Sequence, residues 1–507
     1  MKTHLLRLHA DDSVAVATRT LVQGATAEIG ATCLTCLQEI PFGHKVALRP
    51  IAEGEMILKY GFPIGRASTG IRAGEHVHIH NCASVRGGRG TAPGNSPEIP
   101  PLQGGEPTWE EPCGMRFPTF TGYRRADGRV GVRNHLLILP TVQCANGVVE
   151  RIGRSVPDVV ALPHIYGCSQ IGNDLHQTTK VLEAFAGHPN VGAVLLVSLG
   201  CEIVSAPSMA ERLSSRGQWV ELLTIQEEGG TARAYENALE IVQQMLKQLR
   251  AMDRESLDPS ELVLGVECGG SDAWSGITAN PAVGTASDLV VAAGGTVILS
   301  EVTEFIGAED VLAARATTEH ASRALLRAVH AREEAVRKGR EALLGQRSIS
   351  PEDLTPGNVE GGLTTIEEKS LGAIVKGGTS PVREVVSYGQ EPSEKGLVIM
   401  DTAGNDPESV TGMVAGGAQI VLFTTGRGSP TGCPIAPTVK IASNSLMFDA
   451  LRDDMDLDAG PLLEGERLED LGARILVETA AVANGKLTAA ERGAHHVFAI
   501  ERLGPKA

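Results

Sequence analysis

Three cysteines follow three separate apolar runs, and each has an acid or a histidine beside it. Cys168 comes four residues after His164, Cys201 is followed by Glu202, and Cys268 sits between Glu267 and the turn Gly-Gly-Ser-Asp272. Each run reads as a strand buried on both faces, as in a parallel sheet. In open α/β sheets ligands gather beyond the carboxyl ends of the strands. Cys168, Cys201 and Cys268 are therefore expected to meet at one iron, with His164, Glu202 and Glu267 as neighbours. An iron site is expected there, either mononuclear Fe²⁺ with His and carboxylate ligands or an iron–sulfur cluster held by three cysteines. A second group of residues suits an acid substrate. Glu301-Val-Thr-Glu304, Asp401 to Asp406 and Thr424 to Arg427 also close strand-like runs, so several carboxylates and an arginine share one end of a sheet. Arg427 and Lys440 can each hold a carboxylate, Arg in a bidentate fork. Lys369 follows Thr364, Thr365, Glu367 and Glu368, which can cap a helix start. It can serve as a general base or as a carboxylate anchor.

These residues need elements to position them. Residues 1–82 read as a small β domain of short alternating segments. It ends in His76-Val-His78-Ile-His80, where alternation puts the three imidazoles on one strand face. That face is either solvated or turned to an anion or metal. Pro and Gly crowd residues 83–118, which read as a linker that lets the first domain dock at a distance. Residues 119–257 form a middle α/β unit. Its opening packs Arg124, Arg125, Arg129 and Arg133 into ten residues, expected to meet an anionic substrate or a subunit interface. Residues 258–507 alternate strands with helices and predict a parallel sheet. The pair Cys33/Cys36 has no second CxxC partner and reads as two buried thiols.

A net charge of −16 and 3% aromatics argue against nucleic acid or an anionic membrane as partner. No apolar stretch approaches a membrane span and the start lacks a signal-peptide core, so a cytoplasmic location is expected. Nine cysteines, an odd number, point to reduced thiols rather than disulfide staples.

At its motifs the chain resembles the altronate/galactarate dehydratase family. The resemblance runs through Phe42 to Lys45, Lys59 to Gly65, Gly74 to Asn81, Gly122 to Asn134, Pro140 to Asn146, His164 to Gln170, Leu199 to Glu202, Glu267 to Pro281, Gly361 to Gly372 and Phe423 to Pro430. It implies an N-terminal all-β clip (SAF-like) domain, a middle α/β domain that dimerises, and a C-terminal Rossmann-like parallel α/β domain. It also implies iron-dependent dehydration of a sugar acid by a homodimer. The expected catalytic set is Lys369, His164, Glu267 and Asp272, and the expected substrate-binding set is His76, His78, Arg133, Arg427 and Asn280. A 2,3-dihydroxy acid that loses water gives an enol, then a 2-keto-3-deoxy acid. The carboxylate must be clamped by cations as charge develops on it, and the C3 hydroxyl needs help to leave. The rival readings are a sulfolactate sulfo-lyase on the same scaffold and a non-catalytic sugar-acid-binding protein.

Overall fold

The structure, a computed structural model, describes residues 4–29, 32–86, 118–344 and 354–502. Most of the expected linker, residues 87–117, lies outside the described residues.

Residues 4–86 form small antiparallel sheets. One has the order Leu5–Leu6, Val14–Ala17, Lys45–Ala47, His76–Val77; another joins Met56–Lys59, Phe62–Ala67 and Cys82–Ala83. The hairpin between Met56–Lys59 and Phe62–Ala67 turns through Tyr60 and Gly61, both at positive φ (63° and 78°). Two successive left-handed residues match the twist of the flanking strands. Its outer half keeps a core of its own around Leu21, Ala27, Ile40 and Val46. Its inner half does not stand at a distance. Ile57, Ile64 and Val77 belong to one contiguous apolar cluster with Val266, Phe305 and Leu371 of the C-terminal part.

The middle unit is a four-stranded parallel sheet, in the order Val159–Ala161, His135–Pro140, Val191–Ser198, Trp219–Thr224, with helices such as Thr231–Leu249 on its faces. The C-terminal part is a seven-stranded parallel sheet in the order Val382–Val386, Gly396–Met400, Thr296–Leu299, Val263–Gly269, Ile420–Thr425, Thr438–Ala442, Leu457–Asp458. Its central strands are apolar throughout because helices cover both faces. The carboxyl ends of four of the five inner strands carry Cys268, Glu301, Asp401 and Thr425.

The first domain is fastened to the third by charge as well as apolar contact. Thr365 accepts a hydrogen bond from the Glu368 amide and so caps the helix Ile366–Ala373. Its hydroxyl also donates to the Ile64 carbonyl of the first domain. The Glu368 side chain does not complete a capping box at Thr365. It accepts from the Thr364 amide and hydroxyl, and from Lys45 and Lys59, each at 2.8 Å. All three charged side chains are at most 1% exposed. Burial alone would raise the Glu368 carboxyl; the two ammonium groups outweigh it and hold the pKa well below the ordinary 4.5.

Glu368→Ala leaves two buried ammonium groups without their counter-charge and should cost about 3–5 kcal/mol, measured by denaturant unfolding. Because the folded-state pKa is depressed, the clamp contributes in full above a pH of about 4.5 and is lost as pH falls toward the folded value. The variant's deficit relative to wild type should therefore shrink on acidification below that point.

Candidate functional site

The first and third domains enclose a small cleft lined by Tyr60, Asp272, Ser275, Asn280, Glu368 and Lys369, with Gly276 and Gly372 at its wall. A Cβ on Gly276 would lie 2.8 Å from the Tyr60 hydroxyl, so glycine there admits the phenol. Burial raises the Tyr60 pKa, so the group stays a neutral donor. Asp272 receives hydrogen bonds from Ser275, Ser443 and Asn444, which fix its carboxylate. Asn280 donates to the Gly372 carbonyl and accepts from Thr424.

Lys369 bonds Glu304 at 2.7 Å. Burial would lower its pKa, but Glu304 overcomes this and the net shift is upward. Of the two roles open to Lys369, that of a cation fits and that of a resting base does not. Behind it Glu304 accepts from the Cys268 thiol at 3.2 Å, and Lys376 bonds both Cys268 (2.9 Å) and Glu301 (2.5 Å). Burial, then Glu301 and Glu304, push the Cys268 thiol up, so it stays protonated. Glu267 is on the opposite strand face, bonded by Ser300 and Ser409. Burial and the neighbouring Glu301 raise its pKa. One oxygen each of Glu267 and Glu301 is buried without a partner, and with Asp406 their carboxylates lie within 4.8 Å, a set that can share a proton or hold a cation.

A loop at residues 360–363 separates this cleft from an imidazole cluster. The strand Lys45–Ala47 sends Lys45 to the Gly362 carbonyl and Glu368, while His44, on the preceding residue, meets the Glu360 carbonyl at 3.1 Å. The His44 Nδ1 lies 2.9 Å from His76 Nε2. The strand His76–Val77 stops where Asn81 bonds the His78 amide and the His76 carbonyl, and the turn brings His78 back onto the group. Ligand nitrogens of His44, His76 and His78 all lie within 4.8 Å of one another. The His80 ring lies tilted beside His76, with centroids 5.4 Å apart. Burial and the neighbouring basic groups pull His76 and His78 down to about 3, so both rings stay neutral. His78 Nδ1 is buried without a partner, and His44 has its far nitrogen on a backbone carbonyl, the support metal-bound imidazoles commonly have.

Several expectations take other positions. Cys268 does not join Cys168 and Cys201: it lies in the seven-stranded sheet with its sulfur between Glu304 and Lys376, whereas the other two are exposed on the middle sheet. His164 has both ring nitrogens on the backbone, at the Pro140 carbonyl and the Tyr166 amide, and burial lowers it to about 4. Arg133 grips Glu491 and the carbonyls of Val482 and Lys486. Arg124, Arg125 and Arg129 likewise bond groups of this chain, so the arginine-rich stretch is an internal clasp. Arg427 pairs with the exposed Glu360 beside the imidazole cluster. Lys440, the other candidate carboxylate clamp, is buried over the Phe423 ring and donates to the Thr431 carbonyl. Cys36 is buried and Cys33 exposed. His44, Lys45, Lys59 and Tyr60 were not among the expected site residues; the only local signal was a pair of adjacent basic residues, His44 and Lys45, at the start of one short strand.

Three family models match in order along the chain. They are the altronate/galactarate dehydratase SAF domain at residues 3–85, the D-galactarate dehydratase/altronate hydrolase second domain at 122–250, and the D-galactarate/altronate dehydratase C-terminal domain at 259–506. The chain belongs to the altronate/galactarate dehydratase family. It is 36% identical to altronate dehydratase of Bacillus subtilis (strain 168), over 98% of this chain and 99% of that protein. It is 33% identical to galactarate dehydratase (L-threo-forming) of Escherichia coli (strain K12), over 93% and 92%. It is also 34% identical to the (2R)-sulfolactate sulfo-lyase subunit beta of Chromohalobacter salexigens, over 77% of this chain and 98% of that subunit.

If the imidazole trio holds a divalent ion, protons should not compete for it near neutrality. Binding of Co²⁺, followed by its visible spectrum, should keep one affinity between pH 5.5 and 8, where ordinary histidines near 6.5 would lose it. His78→Ala should weaken binding at least tenfold, as removal of one of three ligands; a tenfold loss on acidification in the native chain would rule out neutral ligands.

Proposed function

We propose that this chain dehydrates a sugar acid of the aldonate or aldarate type to the 2-keto-3-deoxy acid, with Fe²⁺ held by His44, His76 and His78. The observation that carries this reading is the half-buried, protonated Lys369 in a cleft one loop away from a ready-made set of neutral imidazoles. Family membership over nearly the whole chain supports the substrate class.

Lys369 offers an ammonium fixed by Glu304 to the substrate carboxylate. Charge that builds on that carboxylate as the C2 proton leaves is met by a cation already in place, so little reorganisation is needed. Tyr60, as a neutral phenol, can donate to a substrate hydroxyl, and Ser275 can do the same at the other wall. Glu368 lines the cleft but is committed to Lys45 and Lys59, so it shapes the site and does not take the proton. Iron, when bound, supplies Lewis acidity for departure of the C3 hydroxyl.

The sulfo-lyase reading has one observation in its favour, the match to nearly all of the sulfolactate lyase beta subunit. Anaerobic assays with Fe²⁺ on altronate, galactarate and sulfolactate decide between them. The expected outcome is 2-keto-3-deoxy acid from a sugar acid and no sulfite from sulfolactate. Release of sulfite with pyruvate from sulfolactate, and no 2-keto-3-deoxy acid from either sugar acid, would replace the reading, and no turnover of any sugar acid would overturn it. Lys369→Met should lower kcat/KM by about 100- to 1,000-fold, the cost of losing one preorganised electrostatic contact.

A further inference from the structure

The carboxyl end of the middle sheet carries a second set of reactive groups that the cleft does not use. Cys144, Cys168 and Cys201 follow the adjacent strands His135–Pro140, Val159–Ala161 and Val191–Ser198, and all three thiols are exposed. The loops that bear them are in mutual contact. The Gln143 amide donates to the Tyr166 carbonyl at 3.0 Å, and the Thr141 amide to Val197 at 3.0 Å. Gly167, at φ 97°, packs so closely that a Cβ would sit 2.1 Å from the Thr141 carbonyl. Thr141 reaches the third loop through Glu202, at 2.5 Å. Ser169, beside Cys168, is held in the left-handed region (φ 53°), an unfavourable conformation for a residue with a side chain.

Other ligands nearby are committed. Glu202 accepts four hydrogen bonds, from Thr141, Ser198, Gly200 and Cys201; burial opposes ionisation, but these donors outweigh it and lower the pKa. His164 has no free nitrogen. What remains is three thiols in three different loops, a donor set for a soft metal. The three sulfurs are not all within 4.8 Å of one another, as the imidazoles are. A single tetrahedral ion with bonds of about 2.3 Å needs sulfurs about 3.8 Å apart. A cuboidal cluster spaces its thiolates more widely. Ile165, Ile171 and Ile203, all exposed, flank two of the cysteines and would form an apolar collar, which limits solvent access to such a cluster.

We propose that Cys144, Cys168 and Cys201 hold a four-iron, four-sulfide cluster through three thiolates, leaving one iron open to a small oxygen ligand. Assembly breaks three S–H bonds, forms three Fe–S bonds and releases three protons. Two ferrous and two ferric ions with four sulfides make a core of charge 2+, so no further oxidant or reductant enters. The site stands apart from the cleft and does not rest on the dehydratase reading.

The test is anaerobic reconstitution of the full chain with ferrous and ferric iron, sulfide and a thiol reductant, read without substrate by visible absorption, Mössbauer spectra and acid-labile sulfide. The expected result is about four sulfides per chain and about four irons beyond any ion held by the imidazole trio. Each of Cys144→Ser, Cys168→Ser and Cys201→Ser should lose most of both, while Cys33→Ser and His78→Ala keep them. Circular dichroism checks that each variant is folded, and the matching Cys→Ala variants stand in for any that is not. Iron or zinc lost on these cysteine substitutions but bound without sulfide, reconstitution that survives all three substitutions, or equal loss in Cys33→Ser would each overturn the proposal.

Discussion

One carboxylate between two ammonium groups holds the structure in its working form. Glu368 is fully buried, as are Lys45 and Lys59, and the three come from two domains more than 300 residues apart in the chain. Such a group is expensive to desolvate, and it is tolerated because each partner is matched and the Thr364 amide and hydroxyl fill the remaining acceptor sites. The clamp also sets position. Lys45 fixes the strand that follows His44, Lys59 fixes the hairpin that presents Tyr60, and Glu368 anchors the first turn of the helix that presents Lys369. The wall of the cleft, its cation and its nearest imidazole are thus registered against one another by a single carboxylate.

Much of the scaffold was legible in the sequence. Apolar runs such as that ending at Cys268 become parallel strands, and the polar turns after them do collect at one end of the seven-stranded sheet. Period-two alternation separates Glu267 from Cys268 onto opposite faces, as strand geometry requires. Helix capping at Thr365 also follows from residue types. What sequence could not give was pairing between distant segments. Glu368 read as a cap because its lysine partners are on another domain. Arg133 read as a substrate ligand because Glu491, its partner, lies far along the chain. Cys268 read as a companion of Cys168 and Cys201 because all three follow similar runs, yet it belongs to a different sheet from theirs. The first domain read as docked at a distance because a Pro/Gly-rich stretch follows it, while its inner apolar face belongs to the C-terminal cluster.

The imidazole cluster shows the same limit from the other side. Alternation places His76 and His78 on one face, but the strand ends at Val77, and Asn81 turns the chain so that His78 returns to the group. His44 joins from a neighbouring strand. Crowding and burial then keep the rings neutral, a property of the assembled site that no single residue announces.

The clamp has an evolutionary consequence. Replacing Glu368 alone strands two buried positive charges, and replacing one lysine alone leaves the carboxylate with half its counter-charge. Each single step is penalised, while a joint exchange of all three for apolar residues of similar volume would not be. Positions 45, 59 and 368 should therefore drift as one correlated unit among related chains.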